Sequence, residues 1–100
     1  MQTTTSFRTY ELAVQFYRES RDLGLPTFLR DQFDRASSSI VLNLAEGSAK
    51  ASRKDRHRFF QIALGSVREC QAILRLEPRQ IPTLDRLAAS NYKLCIALRS

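Results

Sequence analysis

One hundred residues and 11.5 kDa leave room for a single domain. A content of 43% hydrophobic and 26% charged residues excludes disorder and membrane embedding, and no apolar run approaches the ~20 residues of a membrane span. Sixteen Lys/Arg against ten Asp/Glu give a formal charge of +6, which favours polyanionic partners without identifying one.

Three Gly and three Pro divide the chain into four helical segments. The first is predicted over about 9–23, beginning at Phe7 or Thr9 and stopped by Gly24, with Pro26 opening the next element. The second is predicted over 27–46, ending at Gly47 in the left-handed conformation. The third is predicted over 52–76, with Ser52 capping its first turn, Asp55 favouring the helix dipole and Glu77-Pro78 breaking it. The fourth is predicted over 83–98, with Thr83 as its cap. The opening Met1-Gln2-Thr3-Thr4-Thr5 lacks the charged-then-apolar order of a signal peptide, so the expected location is the cytoplasm.

At 100° per residue, Leu29, Phe33, Ala36, Ile40 and Leu44 fall on one stripe with Asn43 at its edge. Leu84, Leu87, Asn91, Leu94, Cys95 and Leu98 form another. Opposite charges four residues apart, Arg18 with Asp22, Arg30 with Asp34 and Asp31 with Arg35, lie off these stripes and read as a solvated face. Short connections make consecutive helices antiparallel, so the expected fold is all-α: an up-and-down four-helix bundle forming one domain over 1–100.

The apolar surface exceeds what one bundle needs. The third segment spreads its apolar residues, Phe60 and Leu64 among them, over roughly 200° against the ~100° of a surface helix. The first carries a second stripe of Leu12, Phe16 and Leu23, and Leu42 points away from its own core stripe. Leu12, Phe16, Leu23, Leu42, Phe60 and Leu64 are therefore the expected contacts of a homo-oligomer.

The net charge is as uneven as the hydrophobicity. Lys50, Arg53, Lys54, Arg56 and Arg58 face only Asp55 within nine residues. They sit at a helix start, against the macrodipole, a placement that a phosphate backbone offsets. Predicted lengths of about 21, 30, 37 and 25 Å make this basic end project beyond the first and fourth helices. No aromatic residue alternates with the cations, so base stacking is not indicated.

Enzyme signatures are absent. His57 lies in the basic run without a carboxylate partner, one histidine and two separated cysteines do not make a zinc site, and no cofactor-binding motif appears. An axial offset of ~7 Å separates Cys70 from Cys95, so both are expected as buried, reduced thiols.

The stretch from Leu29-Arg30-Asp31-Gln32-Phe33 through Asn43-Leu44-Ala45-Glu46-Gly47, followed by Ser52, Arg58-Phe59-Phe60 and Ala63-Leu64-Gly65-Ser66-Val67-Arg68-Glu69-Cys70, closely resembles a known family. This is the family of four-helix bundle proteins encoded in intervening sequences of bacterial 23S ribosomal RNA genes, often labelled as ribosomal protein S23. The resemblance covers roughly residues 29 to 76. It implies a ring-like homopentamer and kinship with accessory proteins of diversity-generating retroelements, basic pentamers that bind a reverse transcriptase and nucleic acid. It carries no catalytic activity. The Leu76-to-Pro82 connection, with two prolines, departs from the family pattern.

Within the matched stretch, Arg35, Asn43, Glu46 and Glu69 read as a register-fixing network. Glu46 is expected to pair with Arg58 or Arg35, and Asn43 to bond across helices. An acid/base couple of Glu46 and Glu69 lacks a nucleophile nearby. Gly65-Ser66 reads as small residues that allow close helix approach, with a hydrogen bond from the Ser66 hydroxyl as the alternative. Three functions follow: a nucleic-acid-associated oligomeric adaptor acting through the basic end, a scaffold for a protein partner such as a polymerase or reverse transcriptase, and an enzyme without a recognisable motif.

Overall fold

Breaks near Gly24, Lys50 and Pro78 leave four helices and no strand among residues 4–99, which are the residues described by the computed structural model of the chain. The helices are α1 (Thr4–Glu19), α2 (Thr27–Ala49), α3 (Arg53–Leu76) and α4 (Pro82–Leu98). Each runs antiparallel to the next and packs only on its two neighbours, α1 on α2 and α4, and α3 on α2 and α4. The result is an up-and-down four-helix bundle measuring 40 × 20 × 19 Å, as the periodicity predicts.

Its core is built from the expected stripes. Leu29, Phe33, Ala36, Ile40 and Leu44 of α2 meet Leu84, Leu87, Leu94 and Cys95 of α4 and Phe60, Ala63, Val67 and Cys70 of α3, all buried. Burying each large aliphatic or aromatic side chain contributes about 1.5–3 kcal/mol. Phe16 meets Phe33 edge to face at 5.9 Å between centroids, the orientation ring quadrupoles prefer. Phe16 and Phe60, expected between copies, are thus core residues of a single chain. Leu12, Leu23 and Leu64 are half-buried against that core, and Leu42 alone of the six stays exposed, at 64%.

The stripe that α1 buries consists of Ser6, Thr9, Ala13 and Phe16. Small side chains let α1 approach α4 closely enough for the Thr9 and Ser90 hydroxyls to hydrogen-bond. The expected end of this helix at Gly24 comes too late: α1 stops at Glu19. Side chains take the carbonyl that a further turn would use, since Ser20 Oγ and Arg21 Nε both donate to Tyr17 O, at 2.9 Å each. The Arg21 guanidinium also lies 3.7 Å from the Tyr17 ring centroid and donates to Asp34 at 3.1 Å and to Ser37 Oγ at 2.9 Å. Arg21 therefore fastens the end of α1 to the second turn of α2. Asp34 also takes the expected bond from Arg30, at 3.1 Å.

These links change the relative heights of the helices. Because Arg21 meets Asp34 and Ser37, the first turns of α2 extend past α1 at the end opposite the basic run. At the basic end, Arg53 reaches the Ala97 carbonyl in the last turn of α4, at 2.9 Å. The basic end therefore does not project beyond α1 and α4 as the length estimate implies. At the other helix boundaries, Ser52 Oγ accepts from Asp55 N at 3.0 Å as expected. The cap of α4 is Ile81, with Pro82 in the first turn and Thr83 buried behind it.

The glycine expectations are reversed. Gly47 neither ends α2 nor adopts positive φ, since the helix continues to Ala49. A Cβ at this position would stand 2.5 Å from Phe60 Cε1 and 3.2 Å from Phe59 Cβ, so the hydrogen is needed for α3 to approach. At Gly65 a Cβ would meet nothing within 4 Å. Gly47→Ala is therefore expected to destabilise the chain by about 1–3 kcal/mol, because the Phe60 ring is enclosed. Gly65→Ala in dilute monomer should stabilise it by about 0.5–1 kcal/mol through helix propensity. Urea denaturation checks both, and a gain in stability for Gly47→Ala would contradict the packing argument.

Candidate nucleic-acid interface

The basic run occupies the Lys50 cap of α2 and the first turns of α3. Up-and-down topology places this turn beside the start of α1 and the end of α4, so cations distant in sequence collect at one end. Arg8 of α1 and Lys93 and Arg99 at the end of α4 join Lys50, Arg53, Lys54, Arg56 and Arg58 in this half, against Glu11, Glu46 and Asp55. Eight cations and three carboxylates make +5 of the total +6, which leaves the other half with eight cations, seven carboxylates and +1.

Positive charge at the α3 N-terminus opposes that helix's dipole. The neighbouring helix offsets part of the cost, because antiparallel α4 presents its negative C-terminal carbonyls at the same level, where the Arg53 guanidinium binds the Ala97 carbonyl. Lys50 Nζ sits 3.4 Å from Glu46 Oε2 and 5.2 Å from the centroid of the Phe59 ring, over which Arg58 also lies at 4.4 Å. Phe59 thus interleaves with the cations in space, although the linear sequence gives no alternation. Lys54 is exposed and Arg56 half-buried. Arg56 lines a groove with Phe60, Leu94, Ala97 and Leu98, formed where the starts of α1 and α3 meet the end of α4.

The expected register network of Arg35, Asn43, Glu46 and Glu69 does not form, because the contacts of Glu46 and Asn43 stay within α2. Glu46 pairs with Lys50 one turn along its own helix, not with Arg58 or Arg35. Asn43 Nδ2 donates to Ser39 O at 2.9 Å and to Ser39 Oγ at 3.0 Å, also within α2. The crossing to α3 is made by Ser66 Oγ, which donates to Ser39 Oγ at 3.0 Å, the role weighed as the alternative for Ser66. Arg35 and Glu69 are both exposed. A second tie is buried: Asn91 Nδ2 of α4 donates to the Phe60 carbonyl of α3 at 3.1 Å.

None of these groups is arranged as an acid/base or nucleophilic pair. His57 meets the Gln61 amide at 3.2 Å. Cys70 and Cys95 are free and buried, and burial pushes both thiols up, Cys70 to about 12 with the Glu69 charge adding to the effect. They are protonated core residues rather than nucleophiles. Among the described residues, no group of three or more His, Cys, Asp or Glu side chains is placed to hold a metal ion, and no helix is long and apolar enough to cross a membrane.

The family model for the 23S rRNA-intervening sequence protein matches residues 4–95. A crystal structure from Bacteroides thetaiotaomicron VPI-5482, of a protein of unknown function from the S23 ribosomal protein family, aligns with a TM-score of 0.53. It is 19% identical, and the alignment covers 94% of this chain and 91% of that one, a likeness of fold. A comparison with curated proteins finds no match.

The buried thiol gives the chain an alkaline liability. Between pH 9.0 and about 12 the unfolded chain has released the Cys70 proton and the folded chain retains it. Stability from this group is therefore complete below pH 9.0 and declines as pH rises through that window. The melting temperature of Cys70→Ala is expected to fall less steeply than that of the wild type between about pH 9 and about pH 11; equal slopes would contradict the assignment.

Proposed function

Because the chain belongs to the 23S rRNA-intervening sequence protein family, we propose that it is a non-enzymatic, homo-oligomeric adaptor that contacts nucleic acid through its basic end. The observation that carries this reading is charge segregation, +5 at one end of the bundle against +1 at the other. A field of one sign over one end attracts a phosphate backbone of any sequence and releases its counterions on contact. Lys50, Arg53, Lys54, Arg56 and Arg58 supply its centre, and Arg8, Lys93 and Arg99 its margin. The unpaired thiols suit a reducing compartment, and we place the protein in the cytoplasm.

Self-association rests on the opposite kind of surface. Leu42 is 64% exposed, Ile62 43% and Leu76 70%. Ile62, Gly65, Glu69, Ala72 and Leu76 follow one another at alternating steps of three and four residues along α3, the spacing of a helix–helix seam. The open space above Gly65 suits close approach of another helix, which explains a glycine in mid-helix that its own chain does not need. The interface therefore centres on Leu42, Ile62 and Gly65 instead of Phe16 and Phe60, with five copies as the resemblance implies. A ring of five would carry about +30 and align its basic ends.

Two measurements test this reading. Binding to a structured RNA is expected to weaken steeply as salt rises, and Arg53→Glu with Lys54→Glu to cost more than tenfold in affinity with an unchanged native mass. Absence of binding at low salt, or binding insensitive to salt, would overturn the nucleic-acid role and leave a protein scaffold as the remaining reading. Native mass spectrometry should show a multiple of the chain mass that Ile62→Glu reduces to a single chain without loss of helicity. A single chain at micromolar wild-type concentration would overturn self-association.

A further inference from the structure

Two hollows of the bundle differ in chemistry. The larger, about 990 Å³ at the α3–α4 turn, is lined by Arg75 and Arg79 but also by Glu77 and Asp85, so its charges cancel. The smaller, about 380 Å³, lies at the basic end, and no Asp or Glu lines it among the described residues. Its lining is mostly apolar, from Phe60, Leu94, Ala97 and Leu98, with the cations Arg56 and Lys93 and the hydroxyls of Thr5 and Ser6 completing it. We infer that this groove takes one unpaired nucleotide of a single-stranded or looped RNA, with the base laid on the apolar lining and the flanking phosphates on Arg56 and Lys93. The inference rests on the nucleic-acid reading of the basic end and narrows it to a strand type.

The groove and an unpaired nucleotide are complementary. A base face is flat and apolar, and its removal from water onto Leu94, Ala97 and Leu98 is favourable, whereas the phosphates on either side require cations within reach and no competing acid. A volume near 380 Å³ is within the range of small-ligand pockets and has room for a single base. Duplex bases are stacked and present only phosphates to such a surface, so a duplex uses the cations without the apolar lining. The expected consequence is a preference for unpaired strands. Lys93 and Arg56 come from different helices, and Phe60 is packed against Gly47 and bonded through its carbonyl to Asn91.

The test compares a single-stranded RNA of about ten nucleotides carrying one 2-aminopurine with the same strand annealed to its complement, at one salt concentration. Wild-type protein should bind the single strand at least about tenfold more tightly, and the 2-aminopurine emission should change on binding. Ala97→Phe fills the groove from an exposed position. It should bring single-strand affinity down to the duplex level while leaving duplex affinity and melting temperature unchanged. Lys93→Gln provides a second variant should Ala97→Phe fold poorly, and should also lower single-strand affinity more than duplex affinity. Equal wild-type affinity for the two RNAs, or a strand preference that survives in a folded groove variant, overturns the groove assignment alone. Failure to bind either RNA at low salt overturns the basic-end reading and the groove with it.

Discussion

Phe60 fixes how three of the four helices meet. Its ring occupies space that a methyl group at position 47 would fill, and its carbonyl takes the amide of the buried Asn91. These contacts set α2, α3 and α4 at one level, seven residues into α3 and seven before the end of α4. The positions of the cations follow from this joint. Once Phe60 is placed, the basic first turn of α3 must lie beside the last turn of α4, and the antiparallel return of α1 brings its own start to the same end. Removing a buried ring–backbone fit of this kind costs more than its contact area suggests, because a core closed on all sides relaxes little.

The placement of the charge is then a matter of electrostatics between neighbouring helices. A cationic run at a helix start is unfavourable on an isolated helix. In the bundle the adjacent C-terminus of α4 contributes the opposite partial charge, and the Arg53 guanidinium joins the two through the Ala97 carbonyl. Phe59 shares its ring with Lys50 and Arg58, holding their stems against the surface while their charges remain available. Leu42 of α2 and Ile62 and Leu76 of α3 are exposed, so the proposed assembly surface is distinct from the basic end.

Much of the fold is legible in the sequence because α2, α3 and α4 mark their inner faces with large apolar residues at helical spacing. The inner face of α1 is not legible in that way, since Ser6, Thr9 and Ala13 are buried for their small size, and hydropathy does not register size. Its early end depends on the Arg21 and Ser20 side chains, which take the Tyr17 carbonyl, an effect that turn-residue rules do not contain. Gly47 and Gly65 carry the same composition signal and opposite roles, and only the position of Phe60 separates them. Of the site, the run from Lys50 to Arg58 is visible as charge. Lys93, Arg99 and Arg8, like the groove beside them, are brought in by topology from other helices. The partner of Glu46 is not legible, because the half-buried Lys50 one turn along the same helix takes it in place of a cation of the facing helix.

The central claim is that antiparallel packing gathers one functional face from three segments of the chain. Its most direct test is a two-dimensional amide NMR titration of the labelled protein with a short polyphosphate, read residue by residue. The account predicts shifts confined to the first turns of α1, the α2–α3 turn through Phe60, and the α4 residues from Lys93 onward. Shifts distributed equally over both ends of the bundle, or centred on the α3–α4 turn, would contradict it.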